Sequence, residues 1–146
     1  MAVWQTACLA AAAVMVLGAV VDAVRISDGY ARPSVPGALM GAAYVTATNR
    51  GAGDRLVSAA SPRAGSVVLM RTVVRDDGSM HPEPAPHGLD IPAGGSLVMG
   101  REAEHIMLYD LDRPLAAGET LELTLSFERM GDMTVELPVD PSRDEN

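Results

Sequence analysis

Aromatic side chains are scarce in this chain: one Phe, one Trp and three Tyr, or 3% of 146 residues. A buried core must therefore be assembled from Val, Leu, Ala and Met, and the 48% hydrophobic content supplies them. Cysteine is scarcer still. The single Cys8 lies in an apolar N-terminal stretch, so no intrachain disulfide can form. A chain cut after that stretch has no thiolate ligand and no cysteine nucleophile. Without a thiolate, an electron-transfer blue-copper centre is excluded. Positive charge is also short: 11 basic against 19 acidic residues leave a net charge of −8. That balance argues against binding nucleic acid, which needs a basic face, and against docking on anionic lipid. The signatures of common catalysts are missing too. There is no Gly-x-Ser-x-Gly elbow, phosphate loop or His-Glu-x-x-His helix, and the acidic pairs read as solvated turns. The expectation is a protein that is not an enzyme, of one domain by length.

The first 21 residues carry no charged side chain. Residues 8–21 look like the apolar core of an export signal, with small residues before candidate cuts at Val21-Asp22-Ala23 and Leu17-Gly18-Ala19. Residues 1–23 are therefore expected to be a signal peptide, or else an N-terminal anchor in the cytoplasmic membrane. The domain would be periplasmic, touching membrane only through an uncleaved leader. Cys8 lies too early in the apolar run, and after the wrong residues, to be a lipid-attachment site.

Past the leader, the pattern is that of β-strands. Residues 120–128 (TLELTLSFE) alternate polar and apolar without a break, and residues 133–139 (MTVELPV) do the same after a turn at 129–132. Residues 42–49 and 66–74 read as further strands, with turn chemistry at 49–53, 76–78 and 92–95. About seven short strands with frequent turns predict an all-β, Greek-key sandwich of the cupredoxin-like or immunoglobulin-like kind. The expected organisation is leader 1–23, sandwich 24–140 and a frayed polar tail 141–146.

The chemistry concentrates at His105-Ile106-Met107. In a strand, residues i and i+2 share a face, so an imidazole and a thioether would project side by side. That pair suits a soft or borderline transition metal, copper foremost. The plain alternative has Met107 in the core and His105 at its rim. Glu102 and Glu104, just before His105, would draw cations or orient the imidazole.

Several pieces in a fixed order resemble one family: Tyr30-Ala31-Arg32-Pro33, Ala42-Ala43-Tyr44, Asn49, Asp54-Arg55-Leu56-Val57, Ile91-Pro92-Ala93-Gly94-Gly95, His105-Ile106-Met107-Leu108, Leu115-Ala116-Ala117-Gly118-Glu119 and the closing hairpin. They look like the periplasmic copper chaperones of the PCuAC type, over nearly the whole chain after the leader. The resemblance implies a cupredoxin-like sandwich that binds Cu(I) through His and Met and passes it to the CuA site of cytochrome c oxidase. The family's motif has a His, a Met about eleven residues on, then a His-x-Met pair. His105 and Met107 match that pair. At the first position this chain has Met70, and at the second it has His81, with Met80 beside it. Three readings follow. Met70 and His81 exchange roles and complete a site with His105 and Met107; Met80 replaces His81; or only His105 and Met107 survive. His87 reads as a solvent-exposed loop residue.

Two functions fit these observations. One is a monomeric Cu(I) chaperone serving a recipient such as cytochrome c oxidase subunit II. The other is a metal-free adhesion or assembly module that keeps the scaffold and has lost the site. The convergence or separation of Met70, His81 and the His105 pair discriminates between them.

Overall fold

A computed structural model describes residues 23–143; the leader and Cys8 lie outside these residues. Among the described residues every regular element is a strand. There are ten, three more than the turn spacing suggested, because short edge strands carry little pattern. The larger sheet runs β1 (Val24–Pro33), β2 (Gly41–Asn49), β8 (His105–Leu111), β4 (Ala64–Val74), β5 (Met80–Pro84), with β7 (Ser96–Val98) paired to the far half of β2. The smaller sheet runs β10 (Gly131–Pro138), β9 (Thr120–Phe127), β3 (Asp54–Ala60), β6 (Leu89–Ile91). The named pairings are antiparallel. The fold is the expected all-β, cupredoxin-like sandwich.

Alternation explains how the sheets face each other. On β9, Leu121, Leu123, Leu125 and Phe127 are buried, while Thr120, Glu122 and their even-numbered neighbours lie outward or half-buried. The inner face of the larger sheet answers with Ala43, Val45, Leu69, Ile106 and Leu108. Ala43 and Leu69 both pair with Ile106, fixing which residues of β2, β8 and β4 point inward. Burying large aliphatic side chains stabilises by about 1.5–3 kcal/mol each, so the sandwich needs few aromatics.

Two polar side chains tie strands to turns. Asn49, only 1% exposed, donates to the carbonyls of Ala52 (2.8 Å) and Ile91 (3.1 Å) and accepts from the Gly51 amide (2.9 Å). Asp54 accepts from the amides of Arg55, Arg129 and Met130, fastening β3 to the β9–β10 turn.

Pro82 and Pro84 lie in the edge strand β5, where prolines are tolerated because, among the described residues, one side of the strand has no hydrogen-bonding neighbour. One expectation needs correction. The tail is not frayed as far as Arg143. The Asp140 amide donates to the Ala31 carbonyl, Arg143 pairs with Asp28 at 2.6 Å, and its guanidinium lies 4.2 Å from the Tyr30 ring centre.

Candidate metal centre on the outer face

The candidate ligands lie on the side of the larger sheet turned away from the core. Since Ile106 points inward, its neighbours His105 and Met107 point outward. Met70 pairs directly with His105, and Val68 with Met107. Directly paired residues hold their Cβ atoms about 5 Å apart, so the Met70 thioether and the His105 imidazole are immediate neighbours. Met70 is buried yet absent from the contiguous core cluster. By the alternation of the strand, its side chain shares the outer face with that of His105.

A transverse row crosses the sheet at this level. Tyr30 pairs with Tyr44, and His105 with Met70, which pairs with Pro84. The Tyr30 and Tyr44 rings stack at 5.0 Å, and the Tyr44 ring lies 6.3 Å from that of His105, tilted by 39°. Tyr30, Tyr44, His105 and Met70 are no more than 8% exposed. An outer sheet face is normally wet, so something must cover this row. Arg143 covers Tyr30, and the turn at residues 100–104 reaches over the His105 end.

That turn closes through an Ala103 amide bond to the Gly100 carbonyl (3.2 Å) and a Gly100 amide bond to the Glu104 carbonyl (3.1 Å). The Ala103 carbonyl lies 2.9 Å from His105 Nδ1. A carbonyl only accepts, so Nδ1 carries the proton and neutral His105 keeps its lone pair on Nε2. The imidazole is thus oriented by a backbone oxygen, not by the carboxylates of Glu102 or Glu104. No sequence signal marks such a contact.

The remaining candidates separate by the parity of the β4–β5 pairing. His81 pairs with Val73, and Met80 with Val74. Counting from Met70, Val74 shares its face and Val73 does not. His81 therefore lies on the opposite face from Met70, His105 and Met107. Its ring is also engaged elsewhere: the Ser79 hydroxyl gives its proton to Asp77, so His81 Nε2, 3.0 Å away, must donate to Ser79. The Ser79 hydroxyl, and then its amide, hold the Asp77 carboxyl below the ordinary carboxylate value. Met80 is on the right face but sits at the level of Val74, four residues along β4 from Met70, or about 13 Å at the strand rise. It is half-exposed and out of first-contact range. His87 is exposed in the turn after β5, as expected.

His105, Met107 and Met70 are thus brought together, and His81 and Met80 are not. Among the described residues no group of three or more His, Cys, Asp or Glu could hold an ion. The donors on this face are one imidazole and two thioethers, a soft set.

Comparison with known proteins agrees with this architecture. The profile of the family described as "Putative lipoprotein LpqE-like" matches residues 24–139. "Putative lipoprotein Lxx21020" of Leifsonia xyli subsp. xyli is 32% identical over 118 residues, spanning 81% of this chain and 70% of that protein. The copper-bound PCuAC domain from PmoF2 superposes with a TM-score of 0.66 at 21% identity, covering 82% of this chain and 93% of that domain; it shares the fold. The solution structure of CuI-DR1885 from Deinococcus radiodurans superposes with a TM-score of 0.64 at 34% identity, covering 84% and 83% of the two chains.

Proposed function

We propose, from the premise that the chain belongs to the LpqE-like family, that it is a copper(I) carrier of the cell envelope. His105 Nε2 and the thioethers of Met107 and Met70 hold the ion on the outer face of the larger sheet. The observation that carries this reading is the direct pairing of Met70 with His105, whose ring presents Nε2. A relative at 34% identity has been solved as its Cu(I) form, and the kinship with proteins described as lipoproteins supports export to the envelope.

Three donors suit a carrier. Cu(I) is soft and accepts imidazole and thioether ligands without a charged partner, so the acidic surface needs no carboxylate at the ion. A three-donor set also leaves one side open to a donor from the recipient, so transfer proceeds by ligand exchange. The recipient we infer is a cuproprotein such as cytochrome c oxidase subunit II, at its CuA site. The metal-free assembly module is the competing reading; what favours it is the separation of His81 from the other donors.

Titration of the protein with Cu(I) in reducing buffer, read by native mass spectrometry, tests the proposal. One ion per chain is expected, and none for His105→Ala. Absence of binding to the unmodified chain would establish the metal-free reading.

A further inference from the structure

One backbone oxygen next to the site receives two side chains. The Ala103 carbonyl accepts from His105 Nδ1 at 2.9 Å and from the Thr72 hydroxyl at 3.1 Å. Thr72 is two residues beyond Met70 on β4, so it shares the outer face with Met70 and His105. It is half-buried and pairs with Pro82 of the edge strand. The carbonyl belongs to the turn at residues 100–104, which closes on itself through the Gly100 and Ala103 amides. Besides His105 itself, the Thr72 hydroxyl fastens this carbonyl to the sheet.

A neutral imidazole has two tautomers, and only the nitrogen without a proton can bind a metal ion. A second-sphere acceptor selects between them, and its removal typically costs about 10–100-fold in metal affinity. Here the acceptor is a loop carbonyl, which is only as well placed as the loop. Tyr44 limits the ring from the other side, with its centroid 6.3 Å away.

We propose that Thr72 is a positioning residue: by anchoring the Ala103 carbonyl it holds His105 in the Nδ1–H tautomer, with Nε2 presented to the outer face. The consequence for copper rests on the function proposed above, whereas the tautomer itself does not. Thr72→Val keeps the branched shape and strand preference of the side chain and removes the donor. Thr72→Ser restores the hydroxyl.

The test uses copper-free protein at about pH 8.5, where a free imidazole is neutral, with the His105 ring read by long-range nitrogen–proton NMR. In the unmodified chain and in Thr72→Ser, Nδ1 should show the shift of a protonated ring nitrogen and Nε2 that of an unprotonated one. In Thr72→Val the two shifts should move toward each other. Cu(I) affinity, measured by competition with bicinchoninate, should fall about 10–100-fold in Thr72→Val and recover in Thr72→Ser. If Thr72→Val does not fold, Thr72→Ala is read in the same way. Unmoved ring shifts in the folded variant overturn the proposal even if affinity falls, because Thr72 would then be supporting the turn alone. An unmodified chain that binds no Cu(I) overturns the carrier function, while the ring shifts still decide the role of Thr72.

Discussion

At the scale of single residues, the donor set makes sharp demands. His105→Ala should abolish tight Cu(I) binding, since two thioethers alone compete poorly for the ion. Met70→Leu keeps the volume and loses the sulfur; affinity should drop by more than about tenfold, or about 1.4 kcal/mol, with the urea midpoint little changed. His81→Ala and Met80→Leu should leave affinity within a few-fold of the unmodified chain. A large loss in Met80→Leu with none in Met70→Leu would reverse the assignment of the third donor. The sequence made half of this constellation legible. His105 and Met107 are two apart in a plain strand, so their common face follows from strand geometry. The place of His81 does not follow from its distance to Met70. A hairpin shifted by one residue moves every side chain to the other face, and the turn chemistry at residues 76–78 marks where the chain reverses without fixing that register. The Ala103 carbonyl was illegible because it is a backbone atom in a loop.

Among the elements, the long alternating strands announced themselves, and β9 and β10 lie within a residue or two of their expected bounds. The short strands β5, β6 and β7, of three to five residues, did not, because so few positions hardly sample a period. Inward positions of the long strands should be the costly ones. Leu123→Ala, at a position with 0% exposure, should cost about 2–5 kcal/mol in urea unfolding while leaving the outer-face donors in place. Asn49, in the sequence only one piece of a family resemblance, proves to be a strap. Asn49→Ala should cost about 2–3 kcal/mol, because buried backbone groups lose their partners. The loop at residues 112–119 gives a pH-dependent element. Arg63 donates to Asp112 at 3.0 Å and pairs with Glu119 at 3.6 Å, and Arg113 donates to Glu119 at 2.9 Å. These bonds, led by Arg63 for Asp112 and Arg113 for Glu119, hold both carboxyls below their ordinary values of 3.8 and 4.5. Groups with lowered folded values contribute stability above their unfolded values and lose it as pH falls through the folded ones. Stability from this loop should therefore be complete above about pH 5 and decline toward pH 3. Arg63→Met should flatten that acid limb in melting curves taken across the range.

The molecule as a whole stands on its core, since among the described residues there is no cysteine to form a disulfide. Copper should nevertheless stabilise it by mass action. At a free concentration about 100 times the dissociation constant, a ligand specific to the folded state adds about 2.7 kcal/mol. For a domain of this size that corresponds to a rise in melting temperature on the order of 10 °C, measurable by calorimetry in reducing buffer and absent in His105→Ala. The larger sheet does two jobs with its two sides. Ile106 and Leu69 face the sandwich interior, while His105, Met107 and Met70 face out, with the turn at residues 100–104 over His105. A volume-keeping change of donor on the outer side leaves the inward layer of Ile106 and Leu69 in place, so the scaffold can lose its metal ligands and still yield a folded protein.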